Sequence, residues 1–123
     1  MIPFSRADRV SVLIQEVLSE LLKKNIHDPR LAMATITSVK MSRDLKLARI
    51  YFTIYGGGEK SEAAAQGFES ARGFIKRSLA RRLELRYMPD LKFFYDESFE
   101  YGSHIDQLLE KISTENEPDL NSD

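Results

Sequence analysis

A chain of 123 residues, 42% hydrophobic and 30% charged, is long enough to bury one core and too short to divide into two, with the balance of an ordinary globular domain. It has no cysteine, which excludes disulfides, thiolate metal sites and cysteine nucleophiles, and no apolar run nears the roughly 20 residues of a membrane-spanning helix. The formal net charge of −1 speaks against a nucleic-acid partner unless the basic residues are clustered.

The N-terminus, Met1-Ile2-Pro3-Phe4-Ser5-Arg6, lacks the charged-then-apolar order of a signal peptide, so a cytoplasmic protein is expected. Val10, Leu13, Ile14, Val17, Leu18, Leu21 and Leu22 then recur at helical spacing, predicting a helix over about Ser5–Lys24 with Ser5 and Asp8 as a capping box. Asp28-Pro29 disfavours helical geometry beyond it. Met33–Met41 is rich in Thr, Ile and Val, and Leu47–Tyr55 alternates Ala48, Ile50, Phe52 and Ile54 with polar residues. These are two strands, joined as an antiparallel hairpin by Ser42-Arg43-Asp44-Leu45-Lys46.

Gly56-Gly57-Gly58 breaks the chain. A helix capped by Ser61 follows through Ser70, then a second from Phe74 to about Leu85, with a kink or break at Ala71-Arg72-Gly73 because glycine costs roughly 1 kcal/mol in a helix interior. After Pro89, Leu91–Tyr95 reads as a third strand, parallel to the second through the crossover. Ile105, Leu108, Leu109 and Ile112 mark a short last helix. From Ser113 onward, Glu115, Glu117, Asp119 and Asp123 occur with no base; without them the body holds 18 basic and 15 acidic groups. Residues 1–112 are read as one domain and 113–123 as a disordered acidic tail.

The densest basic cluster runs from Arg72 to Arg86, with six basic residues and only Glu84 as an acid. Phe74, Ile75, Leu79 and Leu83 share one side of that helix, leaving Lys76, Arg77 and Arg81 largely on the other. Charge pattern alone leaves a solvated helix face and a phosphate-binding face equally open. Arg43 and Lys46 in the hairpin link, with Lys40 and Arg49 beside them, form a weaker second cluster. Tyr51 and Tyr55 share a strand face on which bases can stack, though tyrosine is simply a good strand former and no RNP-like motif surrounds them.

Tyr55-Gly56-Gly57-Gly58-Glu59-Lys60-Ser61 fails as a phosphate loop, since Glu59 puts an anion where amides must meet phosphate. His27 and His104 stand apart with no catalytic or metal-ligand spacing. Neither an enzyme nor a bound metal or cofactor is expected.

Three stretches together, Asp28-Pro29-Arg30-Leu31, Met41-Ser42-Arg43-Asp44-Leu45 leading into Ala48-Arg49-Ile50-Tyr51, and Pro89-Asp90-Leu91-Lys92-Phe93-Phe94-Tyr95-Asp96, resemble the ribosome-binding factor A family. The likeness runs from about Arg6 to Ile112. It implies an α+β fold: a single type II KH-like domain, helix-strand-strand-helix-kink-helix-strand with a short C-terminal helix and a three-stranded mixed sheet. Ala71-Arg72-Gly73 would be the kink that replaces a Gly-x-x-Gly clamp.

The resemblance implies RNA contacts at Arg72, Gly73, Lys76, Arg77 and Arg81, to which the hairpin residues Arg43 and Lys46 are added. It further implies a monomer that binds the free 30S ribosomal subunit and its 16S rRNA during late maturation. Support of 5′-end processing, growth in the cold and interplay with assembly GTPases follow from the same likeness. The alternative is a protein-interaction module in which the sheet edge or the Ile105–Ile112 helix docks another protein. An RNA-processing nuclease is remote.

Overall fold

The computed structural model describes residues 4–98. Helix α1 (Arg6–Lys24) starts where the capping box predicts. The Asp8 N–H donates to the Ser5 hydroxyl at 3.1 Å, and the Ser5 N–H donates to the Asp8 carboxylate at 3.0 Å. Its buried face is Ala7, Val10, Ile14, Val17, Leu18 and Leu21. Leu13, expected on that stripe, is 45% exposed; it lies at the margin of the face, and Ala7 completes the line.

Strands β1 (Ala34–Met41) and β2 (Leu47–Ile54) pair antiparallel, and β3 (Asp90–Tyr95) pairs parallel to β2, giving a mixed sheet of order β1-β2-β3. The register of β1 shifts between Ile36 and Ser38. That irregularity turns Val39 to the same side as Ile36, so both are buried although they stand three positions apart.

The connection from β2 to β3 departs from expectation. Gly56 and Gly57 turn the chain at φ of 103° and 102°, one turn of 3-10 helix covers Gly58–Lys60, and α2 runs unbroken over Ser61–Leu83. Ser61 is its first residue rather than its cap, which falls on Lys60 without a side-chain hydrogen bond. No break occurs at Ala71-Arg72-Gly73: the two expected helices are one, and Gly73 keeps helical dihedrals, the positive-φ glycines among the described residues being Gly56 and Gly57. A single glycine's cost of about 1 kcal/mol is outweighed because Phe68, Ile75 and Leu79, on both sides of it, are fully buried on one helix face. Glu84, in left-handed geometry at φ 50°, ends α2.

Both helices pack on one face of the sheet. Ile14 and Leu18 of α1, Ala48, Ile50 and Phe52 of β2, Phe68, Ile75 and Leu79 of α2, and Leu91 of β3 are wholly buried between them. Phe68 anchors the centre, 4.8 Å from both the Phe52 and Phe93 ring centroids. Gly67 lets the Pro29–Leu31 turn lie against α2: a Cβ there would stand 3.1 Å from the Leu31 side chain.

The architecture is therefore α+β with a three-stranded mixed sheet, as the KH-like expectation requires, with one long helix in place of a kinked pair. The expected helix over Ile105–Ile112 and the acidic stretch 113–123 lie outside the described residues.

Candidate nucleic-acid interface

The hairpin link is a fixed turn. The Ser42 hydroxyl accepts from the Lys46 and Leu47 N–H groups at 3.2 and 3.0 Å, and Asp44 accepts from the Ser42 hydroxyl at 2.7 Å and from the Lys46 N–H at 3.1 Å. The Ser42 bond, first of all, holds the Asp44 carboxyl below its ordinary value. Leu45 takes a left-handed conformation, φ 61°, a strained choice for a branched residue. Its half-buried side chain packs on the core. Arg43 and Lys46, on either side of this anchor, are exposed.

On α2 the basic residues divide by partner. Arg72 is structural in this geometry: its guanidinium donates to the Leu91 carbonyl on the free edge of β3 and lies 3.7 Å from Glu69 and 3.9 Å from Asp90. Lys76 lies 3.8 Å from Asp90, and Arg82 reaches Glu20 of α1 at 3.3 Å. Arg77 and Arg81, one helical turn apart, are exposed, and neither has a carboxylate partner among the described residues. Arg77 lies across Gly73, its guanidinium nitrogen 3.3 Å from where a Cβ on Gly73 would stand.

The two predicted clusters meet at a cleft of about 560 Å³, lined by Lys46 of the hairpin, Lys76 of α2, Arg6 of α1 and Arg86. Two acids also line it: Asp44 is held by the hydrogen bonds described above, and Asp90 lies 3.9 Å from Arg72 and 3.8 Å from Lys76. Leu45, Leu85 and Met88 form its apolar part, and Arg86 sits 5.6 Å over the Tyr87 ring. Sequence reasoning missed Arg6 as a lining residue, because only the fold carries the start of α1 to the end of α2. Lys40 and Arg49, grouped with the hairpin cluster from their positions in the chain, instead pair across β1 and β2 on the solvent side of the sheet.

Such a surface suits phosphate: cations without internal partners stand on the same rigid elements that line the cleft. Among the described residues, no three His, Asp or Glu gather as metal ligands, and no helix is long and apolar enough to cross a membrane.

Residues 6–109 match the family model described as ribosome-binding factor A. The chain belongs to the ribosome-binding factor A family. A relative so named from Desulfatibacillum aliphaticivorans is 52% identical over 114 residues, 93% of each chain. One from Desulfosudis oleivorans is 56% identical over 112 residues, 91% of this chain and 87% of its own. Among solved structures, the solution structure of a Thermotoga maritima protein described as a putative ribosome-binding factor A superposes with a TM-score of 0.68 at 29% identity, covering 76% of this chain and 90% of that one. A Thermus thermophilus ribosome-binding factor A homology model, fitted into a cryo-EM map of a complex with the 30S subunit, gives a TM-score of 0.63 at 25% identity over 76% and 97%.

Proposed function

We propose that this chain is a cytoplasmic assembly factor that binds the free 30S subunit through its 16S rRNA during late maturation and catalyses no bond cleavage. The observation that carries the reading is the set of cations without internal partners, Arg43 on the hairpin and Arg77 and Arg81 on α2, the two elements that also supply Lys46 and Lys76 to the cleft. Family membership and the 30S complex formed by the Thermus thermophilus relative give that surface a target. The A-form grooves of folded rRNA offer phosphates rather than readable base edges, so placement would depend on shape and affinity on phosphate contacts.

In this reading Arg77 and Arg81 contact the backbone directly. Gly73 keeps the helix surface low, so that a phosphate can approach Arg77 where a methyl would intrude. Arg72 holds β3 against α2 and acts through that placement. The factor would hold an immature rRNA arrangement as a monomer, so that support of 5′-end processing, growth in the cold and interplay with assembly GTPases are indirect consequences of rRNA folding.

Strand addition by a protein partner is less well supported, because the sheet edges are partly occupied. The Ile36 carbonyl accepts from Gln15 at 3.3 Å, the Met41 N–H donates to the Ser11 hydroxyl at 3.0 Å, and the Leu91 carbonyl accepts from Arg72.

Co-sedimentation of the purified chain with isolated 30S, 50S and 70S particles, beside titration of purified 16S rRNA, tests the proposal. Retention on 30S with measurable affinity for the RNA is expected. Retention on 30S without RNA affinity would favour the protein-interaction reading, and no preference among particles would overturn both.

A further inference from the structure

The face of the sheet turned away from the helices carries chemistry that the core does not explain. On β2, Arg49 and Tyr51 alternate with the buried Ala48, Ile50 and Phe52. The register sets Lys40 and Lys92 on either side of Arg49, and Ser38 and Phe94 on either side of Tyr51. Two rows therefore cross all three strands. In the first, Lys40, Arg49 and Lys92 are all exposed. In the second, the Tyr51 and Phe94 rings stack with centroids 5.5 Å apart and planes at 29°, Phe94 is 39% exposed, and the Lys40 ammonium lies 5.9 Å from the Tyr51 centroid.

Like charges placed directly across strands repel and weaken a sheet. Among the described residues, none of these three cations is paired with a carboxylate. A phenylalanine ring left in water beside them forgoes the gain that burial would bring. A ligand made of flat rings joined by anions answers both features at once, the rings stacking on the aromatic row while the phosphates meet the basic one.

We infer that the outer face of the sheet is a second RNA site, which takes unpaired nucleotides by stacking bases on Phe94 and Tyr51 and placing their phosphates at Lys40, Arg49 and Lys92. A duplex would not serve, since its bases are already stacked and their faces covered. The site lies across the sheet from α2, so the domain would touch RNA on two opposite sides. This inference rests on the RNA-binding reading above but separates from it under test.

The test uses the full chain, a labelled single-stranded RNA octamer without self-complementarity and a blunt RNA duplex of the same length. Phe94→Leu keeps an apolar strand residue and removes the π face; Lys40→Glu with Lys92→Glu reverses two charges and gives Arg49 new partners, so both variants should keep native circular dichroism. The octamer should bind the wild type and lose roughly 5- to 150-fold in affinity on Phe94→Leu, the range for loss of base–aromatic stacking, while duplex binding changes less than twofold. The charge-reversed pair should weaken octamer binding and flatten its dependence on salt.

Wild-type octamer affinity in both folded variants, or no octamer binding by the wild type, overturns the inference. Co-sedimentation of the wild type with 30S subunits on the same preparation then shows whether the reading of the α2 surface stands without it. Subunit binding that falls in Phe94→Leu although the wild type ignores the octamer would assign this face to a protein and overturn the RNA site.

Discussion

Gly67 and Gly73 occupy the same helix, yet alanine should act on them with opposite sign. Either substitution removes glycine's conformational disadvantage, about 1 kcal/mol in a helix interior. At Gly73 the new methyl meets only the guanidinium end of exposed Arg77, 3.3 Å away, which swings aside, so Gly73→Ala should stabilise the fold by about 0.4–1 kcal/mol. At Gly67 the methyl would stand 3.1 Å from two atoms of the Leu31 side chain and 3.3 Å from the Arg30 Cβ, and Leu31 is only 3% exposed. The Pro29–Leu31 turn would have to move. Overpacking of that kind costs about 1–3 kcal/mol, which leaves a net loss of up to roughly 2 kcal/mol after the helix gain. With about 4–8 °C per kcal/mol for a domain near this size, thermal melts followed by circular dichroism should show Gly73→Ala a few degrees above the wild type and Gly67→Ala clearly below it. Equal melting temperatures for the two variants would refute the close approach of Leu31. A destabilised Gly73→Ala would refute a continuous α2. Subunit affinity measured on the same Gly73→Ala preparation should fall, and wild-type affinity in the stabilised variant would remove Gly73 from the interface.

Arg72→Ala should lower stability by about 1–2 kcal/mol, since it strips the partner from the Leu91 carbonyl, whereas Arg77→Ala should leave the melting temperature unchanged; similar melting temperatures for both would contradict the division of the basic residues by partner. The Asp28 carboxyl is held below its ordinary value first by the side-chain hydrogen bond from Arg30, and Asp44 by that from Ser42. Their contributions to stability are fully present above the unfolded carboxylate pKa, about 3.9, and are lost as pH falls through the lower folded values. Denaturant titrations from pH 7 to pH 2 should therefore show stability declining below about pH 4, and Asp28→Asn should make that decline shallower; an unchanged profile would remove Asp28 from it. Deleting Ser113–Asp123, four acids without a base, should change neither the melting temperature nor 30S binding, and a large loss of either would make that segment part of the domain.

Much of the fold was legible because its signals are local. The capping box at Ser5, the alternation of Ala48, Ile50, Phe52 and Ile54, and the breaker at Pro89 each fix an element through residues adjacent in the chain. What escaped depends on contacts between elements. The irregularity in β1 buries Val39 on the same side as Ile36, a spacing of three that breaks the period of two expected in a strand. The break expected at Gly73 treated a local cost as decisive, while burial of Phe68, Ile75 and Leu79 along one face carries the helix through it. At the candidate site, the exposed pair Arg77 and Arg81 followed from helical periodicity. The role of Arg72 did not, because its partner Leu91 lies on a strand reached only after the chain has turned back. The row formed by Lys40, Arg49 and Lys92 was hidden for the same reason, each cation coming from a different strand.

Whether α2 presents Arg77 and Arg81 to ribosomal RNA is decided by the salt dependence of 30S binding for the wild type and for Arg77→Glu with Arg81→Glu. Both side chains are exposed and unpaired among the described residues, so the variant should fold normally. It should bind isolated 30S subunits more weakly, with a log–log salt slope smaller in magnitude by about 0.7–0.9 for each phosphate that the protein no longer neutralises. Wild-type affinity and slope in a folded variant would mean that neither Arg77 nor Arg81 contacts a phosphate of the subunit.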